Sequence, residues 1–183
     1  MGEECGGPPR QRPEQRPRLT MDTSVYPLSL QFRAATQQFR DALGDLSSEQ
    51  TLTRINGTTN HAAYIALHVL DARCYVVRLL GVECTHGFEA GTEGAKGVED
   101  IHDYPSNEEI LESWDRVSEV LMRRLNKADR AVLAAEPPFR FPVDDRTVLG
   151  GLAFLAHHEG YHLGQLGLIR KALGLPSLPF RSP

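Results

Sequence analysis

The sequence has no long apolar run, little cysteine and no excess of positive charge. Its apolar stretches, such as residues 152–156, fall far short of the roughly 20 residues a membrane-spanning helix requires, so no such helix is expected. Cys5, Cys74 and Cys84 are an odd number without framework spacing. The first residues contain nothing like the apolar region of a secretory signal, and both features favour a reducing, cytoplasmic setting. Acidic side chains outnumber basic ones 24 to 20. No global positive field therefore recruits nucleic acid or an anionic membrane. Internal repeats and strand-like alternation of useful length are absent too, which leaves helices to form the core.

At 183 residues and 40% hydrophobic content the chain suits one domain with one core. Residues 1–20 combine Pro, Gly, Gln and Arg with almost nothing apolar. Ordering them would lose entropy without burial in return, so a disordered tail is expected as far as residue 24, with one domain over 25–183. Leu28, Phe32, Ala35, Phe39 and Leu43 recur at helical spacing and predict a first amphipathic helix. Thr58, Thr59 and Asn60 offer caps for a second, with the stripe Ile65, His68, Ala72, Tyr75 and Leu79. Residues 81–105 read as a long loop. Ser106 and Glu109 form a capping box for a third helix with the stripe Ile110, Trp114, Val117, Leu121 and Leu125. After Pro137, Pro138 and Pro142, the segment Asp144 to Thr147 leads into a fourth that ends near Gly174. Four such helices bury their stripes most simply as an all-α four-helix bundle.

The last helix contains His158-Glu159-Gly160-Tyr161-His162, an H-E-x-x-H string. On an ideal helix Leu155, His158, His162, Leu166, Ile169 and Leu173 fall within about 80°, which points both histidines into the core. Buried imidazoles need partners that water cannot supply, and one metal ion satisfies two at once. His68, on the second inward stripe, is the third candidate ligand. His61 lies two turns earlier, too far to share the ion, and is at best a pocket-edge residue. His157 is rotated out of the stripe, and His86 and His102 are expected to be solvated in the loop. Cys74 is about 120° from His68 around its helix and is not expected as a ligand. Cys84 could approach from the loop as a fourth.

In H-E-x-x-H proteases the third ligand lies downstream of the string. After His162 this chain has no His, Asp, Glu or Cys. The site must be completed from upstream, which argues against a protease.

The string LAFLAHHEGYHLGQLGLIRKALGLP resembles the last helix of the DinB/YfiT-like metalloenzyme superfamily, whose signature is H-x-x-x-H-x-G-Q followed by an arginine and a helix-ending glycine. NHAAYIALHVLDARCYVVRLLG resembles its partner segment, with His68 in the place of the single upstream ligand. The resemblance covers roughly residues 25–176 and implies the metal ligands His68, His158 and His162. It further implies an up-down-down-up bundle, frequently dimeric, holding nickel, zinc or a similar divalent ion. Thiol-dependent isomerases and S-transferases are among its known activities.

Three neutral nitrogen ligands leave a dication with an open position, the arrangement of a catalytic site. Such an ion activates bound water or deprotonates a bound thiol. The leading expectation is a thiol-dependent transferase or isomerase acting on a small-molecule substrate with a low-molecular-weight thiol cosubstrate. A hydrolase using metal-bound hydroxide and a non-catalytic metal-binding stress protein are the alternatives. Two candidate catalytic residues accompany the ligands. Glu159 either orients a metal-bound water and takes its proton or is a surface carboxylate beside His157. Gln165 donates to a ligand or substrate or caps a polar pocket. Tyr64 and Asp71 flank His68, where either could fix the imidazole's tautomer.

Overall fold

The computed structural model describes residues 21–179 and is all-helical, with no strand among them. Four long helices, α1 (Tyr26–Leu43), α3 (Ala62–Leu79), α5 (Asn107–Leu125) and α7 (Val148–Ala172), carry the core. Three short ones, α2 (Ser48–Leu52), α4 (Glu89–Thr92) and α6 (Arg130–Ala134), punctuate the connections. Apart from a half-buried Leu28, the stripes of α1 and α5 are buried as their spacing predicts, with Phe39 stacked on Trp114 at 3.9 Å between ring centres. The expected box at the start of α5 is formed: Ser106 Oγ accepts from the Glu109 amide, and the Glu109 carboxylate accepts from the Ser106 amide. At α7 the Thr147 hydroxyl accepts from the Gly150 amide, and the chain leaves the helix through Gly174 at φ 77°.

Each long helix packs against two others: α7 lies between α1 and α3, and α5 touches the same two from the opposite side. Trp114 Nε1 donates to the Thr36 carbonyl and the Asn107 amide to that of Leu43, so α1 and α5 run antiparallel. His68 meets His162 while Tyr75 meets Phe141, which packs against Phe154, so α3 and α7 are antiparallel too. Arg170, near the end of α7, donates to the Ala42 carbonyl near the end of α1, and these two run the same way.

Residues 1–20 of the expected tail lie outside the described residues. Met21 is buried in the core and Asp22 accepts from Ser24 and Arg130. The cap of α3 differs from the sequence reading. His61, rather than Thr58, Thr59 or Asn60, is its N-cap, with Nδ1 accepting from the Tyr64 amide. An imidazole nitrogen fills the role an Asn oxygen would have taken, and the ring packs edge-on against Tyr104. The segment 81–105 is a loop interrupted by α4 and a 3-10 turn, Val98–Asp100.

Candidate metal centre

His68 on α3 and His158 and His162 on α7 come together across the groove between the two helices. His158 Nε2 lies 3.0 Å from His68 Nε2 and 3.1 Å from His162 Nε2. All three offer a ligand atom within 4.8 Å of one another, and among the described residues no other such group of His, Cys, Asp and Glu exists. The expected trio is therefore assembled, but not in the dry interior. His158 and His162 are half-buried and His68 is exposed. The buried face of α7 runs through Leu152, Ala156, Glu159, Leu163 and Arg170, and the two histidines sit roughly 80–120° from its centre. Both α3 and α7 carry apolar side chains around most of their circumference. A stripe chosen from spacing alone then misplaces the true centre of the core face.

The polar surroundings show that these residues fit a cation. Gln165 Oε1 lies 2.7 Å from His162 Nδ1, and its amide nitrogen donates to the Tyr161 hydroxyl at 3.3 Å. A carboxamide oxygen only accepts, so His162 carries its proton on Nδ1 and turns the Nε2 lone pair towards the other two rings. One imidazole nitrogen has either a proton or a lone pair, and His158 Nε2 cannot make a well-formed hydrogen bond to both neighbours. A divalent ion would accept all three lone pairs. Two nitrogens each about 2.1 Å from one ion stand at most about 4.2 Å apart, and the separations of 3.0 and 3.1 Å fall inside that limit. Burial holds each imidazole below the ordinary histidine value, His158 furthest, at about 4, where His162, His68 and His157 add repulsion. Neutral rings are the form that ligates.

Gln165 thus supports a candidate ligand, His162, through its oxygen. Glu159 lies elsewhere than expected. It is fully buried, and both carboxylate oxygens are taken by Arg73, at 2.9 and 2.6 Å. One residue on from His158 is a rotation of about 100°, which carries Glu159 from the groove into the bundle. There Arg73 also donates to Thr36 Oγ1, Ser118 Oγ and the Phe32 carbonyl, and its guanidinium stacks 3.5 Å from the centre of the Trp114 ring. One guanidinium binds all four long helices. Sequence reasoning missed Arg73, although an Arg amid the apolar residues of α3 and a lone Glu inside the apolar last helix were the signal.

The remaining histidines divide. His157 and His102 are exposed, as expected. His86 is buried instead of solvated: Nδ1 accepts from the Phe88 amide, and its carbonyl accepts from Ser113 and Arg116. Asp71 turns towards Arg78 and His86, each at 3.7 Å. The Tyr64 ring lies parallel to His68 at 6.5 Å. Neither hydrogen-bonds His68, so neither fixes its tautomer. Cys84 does not complete the centre; it lies against Cys74.

On one side of the histidines the groove is walled by rings. Phe154 is 6.1 Å from His158, Phe141 5.6 Å from Phe154, and Tyr75 6.1 Å from Phe141. Phe141 lies directly on the α7 backbone at Gly151, where an added Cβ would stand 2.5 Å from its ring. The arrangement offers an outside molecule a cation site at the surface and an apolar wall beside it.

Neither a comparison with curated proteins nor one with solved structures gave a match. The family model of the DinB superfamily matches residues 31–166, a span that contains the three converging imidazoles and every long helix in whole or large part. By that match the chain belongs to the DinB superfamily.

Proposed function

We propose that this protein is a divalent-metal-dependent enzyme that joins a low-molecular-weight thiol to an electrophilic small molecule, as an S-transferase or as an isomerase that adds and releases the thiol. The observation that carries this reading is the convergence of three neutral Nε2 donors at a partly exposed seam between α3 and α7. A cation there keeps its charge and remains reachable from outside. When bound, nickel or zinc would favour the thiolate form of a thiol at neutral pH.

The chain's own groups do the remainder. Gln165 fixes the His162 ring through Nδ1, which holds one donor in place. Phe154, with Phe141 and Tyr75 behind it, excludes water on one flank and seats the apolar part of the electrophile, so that encounter with the thiol is oriented. Glu159 takes no part in proton transfer in this reading, because Arg73 holds both its oxygens.

The test is elemental analysis of protein purified without a histidine tag, followed by thiol-conjugation assays on the same sample. Near-stoichiometric divalent ion and thiol-dependent turnover are expected. Turnover that proceeds unchanged without thiol would replace this reading with hydrolysis. Metal without any turnover over a broad panel of electrophiles would leave a non-catalytic metal-binding protein. The family likeness also supports a homodimer, which sedimentation of the full chain would measure.

A further inference from the structure

Away from the metal groove, the end of α3 brings two thiols together. Cys74 is wholly buried on α3, whereas Cys84 is half-buried in the segment that follows. The chain reverses at Gly81, whose φ of 79° is a left-handed conformation, and returns Cys84 to the helix with its Sγ 3.2 Å from that of Cys74. The approach is held from several sides. Arg78 donates to the Cys84 carbonyl at 2.9 Å, Arg116 to that of Thr85, and Ser113 to that of His86. None of these groups belongs to the metal cluster.

We propose that Cys74 and Cys84 form a reversible disulfide when the chain meets low-molecular-weight disulfides. Closing the bond to about 2.05 Å requires the sulfurs to move by only about 1 Å. The half-buried thiol reacts first. Cys84 thiolate attacks one sulfur of the external disulfide; a mixed disulfide forms, the external S–S bond breaks, and one small thiol leaves with a proton. Cys74 then attacks Cys84 Sγ, the mixed disulfide breaks, and the second small thiol leaves with the proton Cys74 gives up. Two protein thiols are oxidised by two electrons and one disulfide is reduced to two thiols. Burial pushes the Cys74 thiol well above its ordinary value, which suits it to the second step, when its target is already in contact, rather than the first. Excess thiol reverses both steps. The ratio of thiol to disulfide in the surroundings thereby sets whether the segment after α3 is covalently tied to the helix.

The experiment uses the full chain and its Cys5→Ser variant, incubated with glutathione disulfide at pH 8, alkylated without reduction and digested with trypsin. Cleavage after Arg73, Arg78 and Lys96 puts the two cysteines on separate peptides, 74–78 and 79–96. Their recovery as one disulfide-linked species, in both proteins, is expected. Cys74→Ser is expected to stop at glutathionylated Cys84, and Cys84→Ser to remain unmodified at Cys74. Closing so short a loop raises the thermal midpoint by about 5–10 °C, and added dithiothreitol abolishes the increase. Glutathionylated Cys84 as the end product in a chain that retains Cys74 would overturn the proposal. So would two free thiols after prolonged treatment, or linkage only through Cys5.

Discussion

Protons and any bound metal ion would compete for the same three nitrogens. His68, His158 and His162 all have folded-state values below the ordinary 6.5, chiefly through burial, with His158 at about 4. Above about pH 7.5 these rings are neutral in both folded and unfolded chains, so they add no pH dependence. As pH falls towards 4 the unfolded chain takes up protons that the folded one resists, and the metal-free protein loses stability through that window. Urea midpoints measured at pH 7, 6 and 5 should fall in the wild type and fall less steeply in His158→Gln. At neutral pH, His158→Ala or His162→Ala should reduce bound metal from near-stoichiometric to a trace by elemental analysis. Gln165→Leu leaves the three ligands but frees the His162 ring, and its metal affinity should drop about 10–100-fold in chelator competition. That these three histidines come together was legible from spacing and resemblance, because histidines four apart on a helix must share a side. The place of Glu159 was not, and contact of Gln165 with a candidate ligand was legible only as one of two alternatives. Both are near the histidines in sequence, and only packing shows that one faces Arg73 and the other faces a ligand ring.

At the scale of elements, α7 does two jobs on two faces: its buried side closes the bundle and its flank carries the centre. Gly151 lets Phe141 rest on the helix backbone beside Phe154, so the aromatic wall depends on a missing side chain. Gly151→Ala should displace the Phe141 ring and destabilise the fold by about 1–3 kcal/mol, read as a lower urea midpoint with unchanged slope. Metal content should persist, since no ligand moves, and the variant should bind apolar electrophiles more weakly. The long helices were visible as stripes, with caps at Ser106 and Thr147 that match their side-chain chemistry. The short helices α2, α4 and α6 were not, because five or fewer residues give too little periodicity to distinguish a helical turn from a loop. His61 escaped notice as a cap because imidazole is an uncommon substitute for a short polar side chain.

For the whole molecule, the Arg73–Glu159 pair is the central tie. It is sealed from water and touches all four long helices through Thr36, Ser118 and Trp114. Arg73→Met alone would strand the Glu159 charge in the core and should cost about 3–5 kcal/mol by denaturant unfolding. Pairing it with Glu159→Leu should recover most of that loss, since a matched apolar pair needs no desolvated charge. If the double variant also keeps its metal and any thiol-dependent turnover, Glu159 is confirmed as a fold residue rather than a proton carrier. Failure of turnover in a well-folded, metal-loaded double variant would restore the catalytic role. By itself the sequence determined the helical class, the long helices and the identity of the three histidines, since periodicity and residue type are local properties of a chain. Only the tertiary structure decided that the centre opens at a groove, that Glu159 turns inward and that Cys74 meets Cys84. Each depends on how a helix is rotated against its neighbours, and helices apolar on nearly every side leave that rotation to packing.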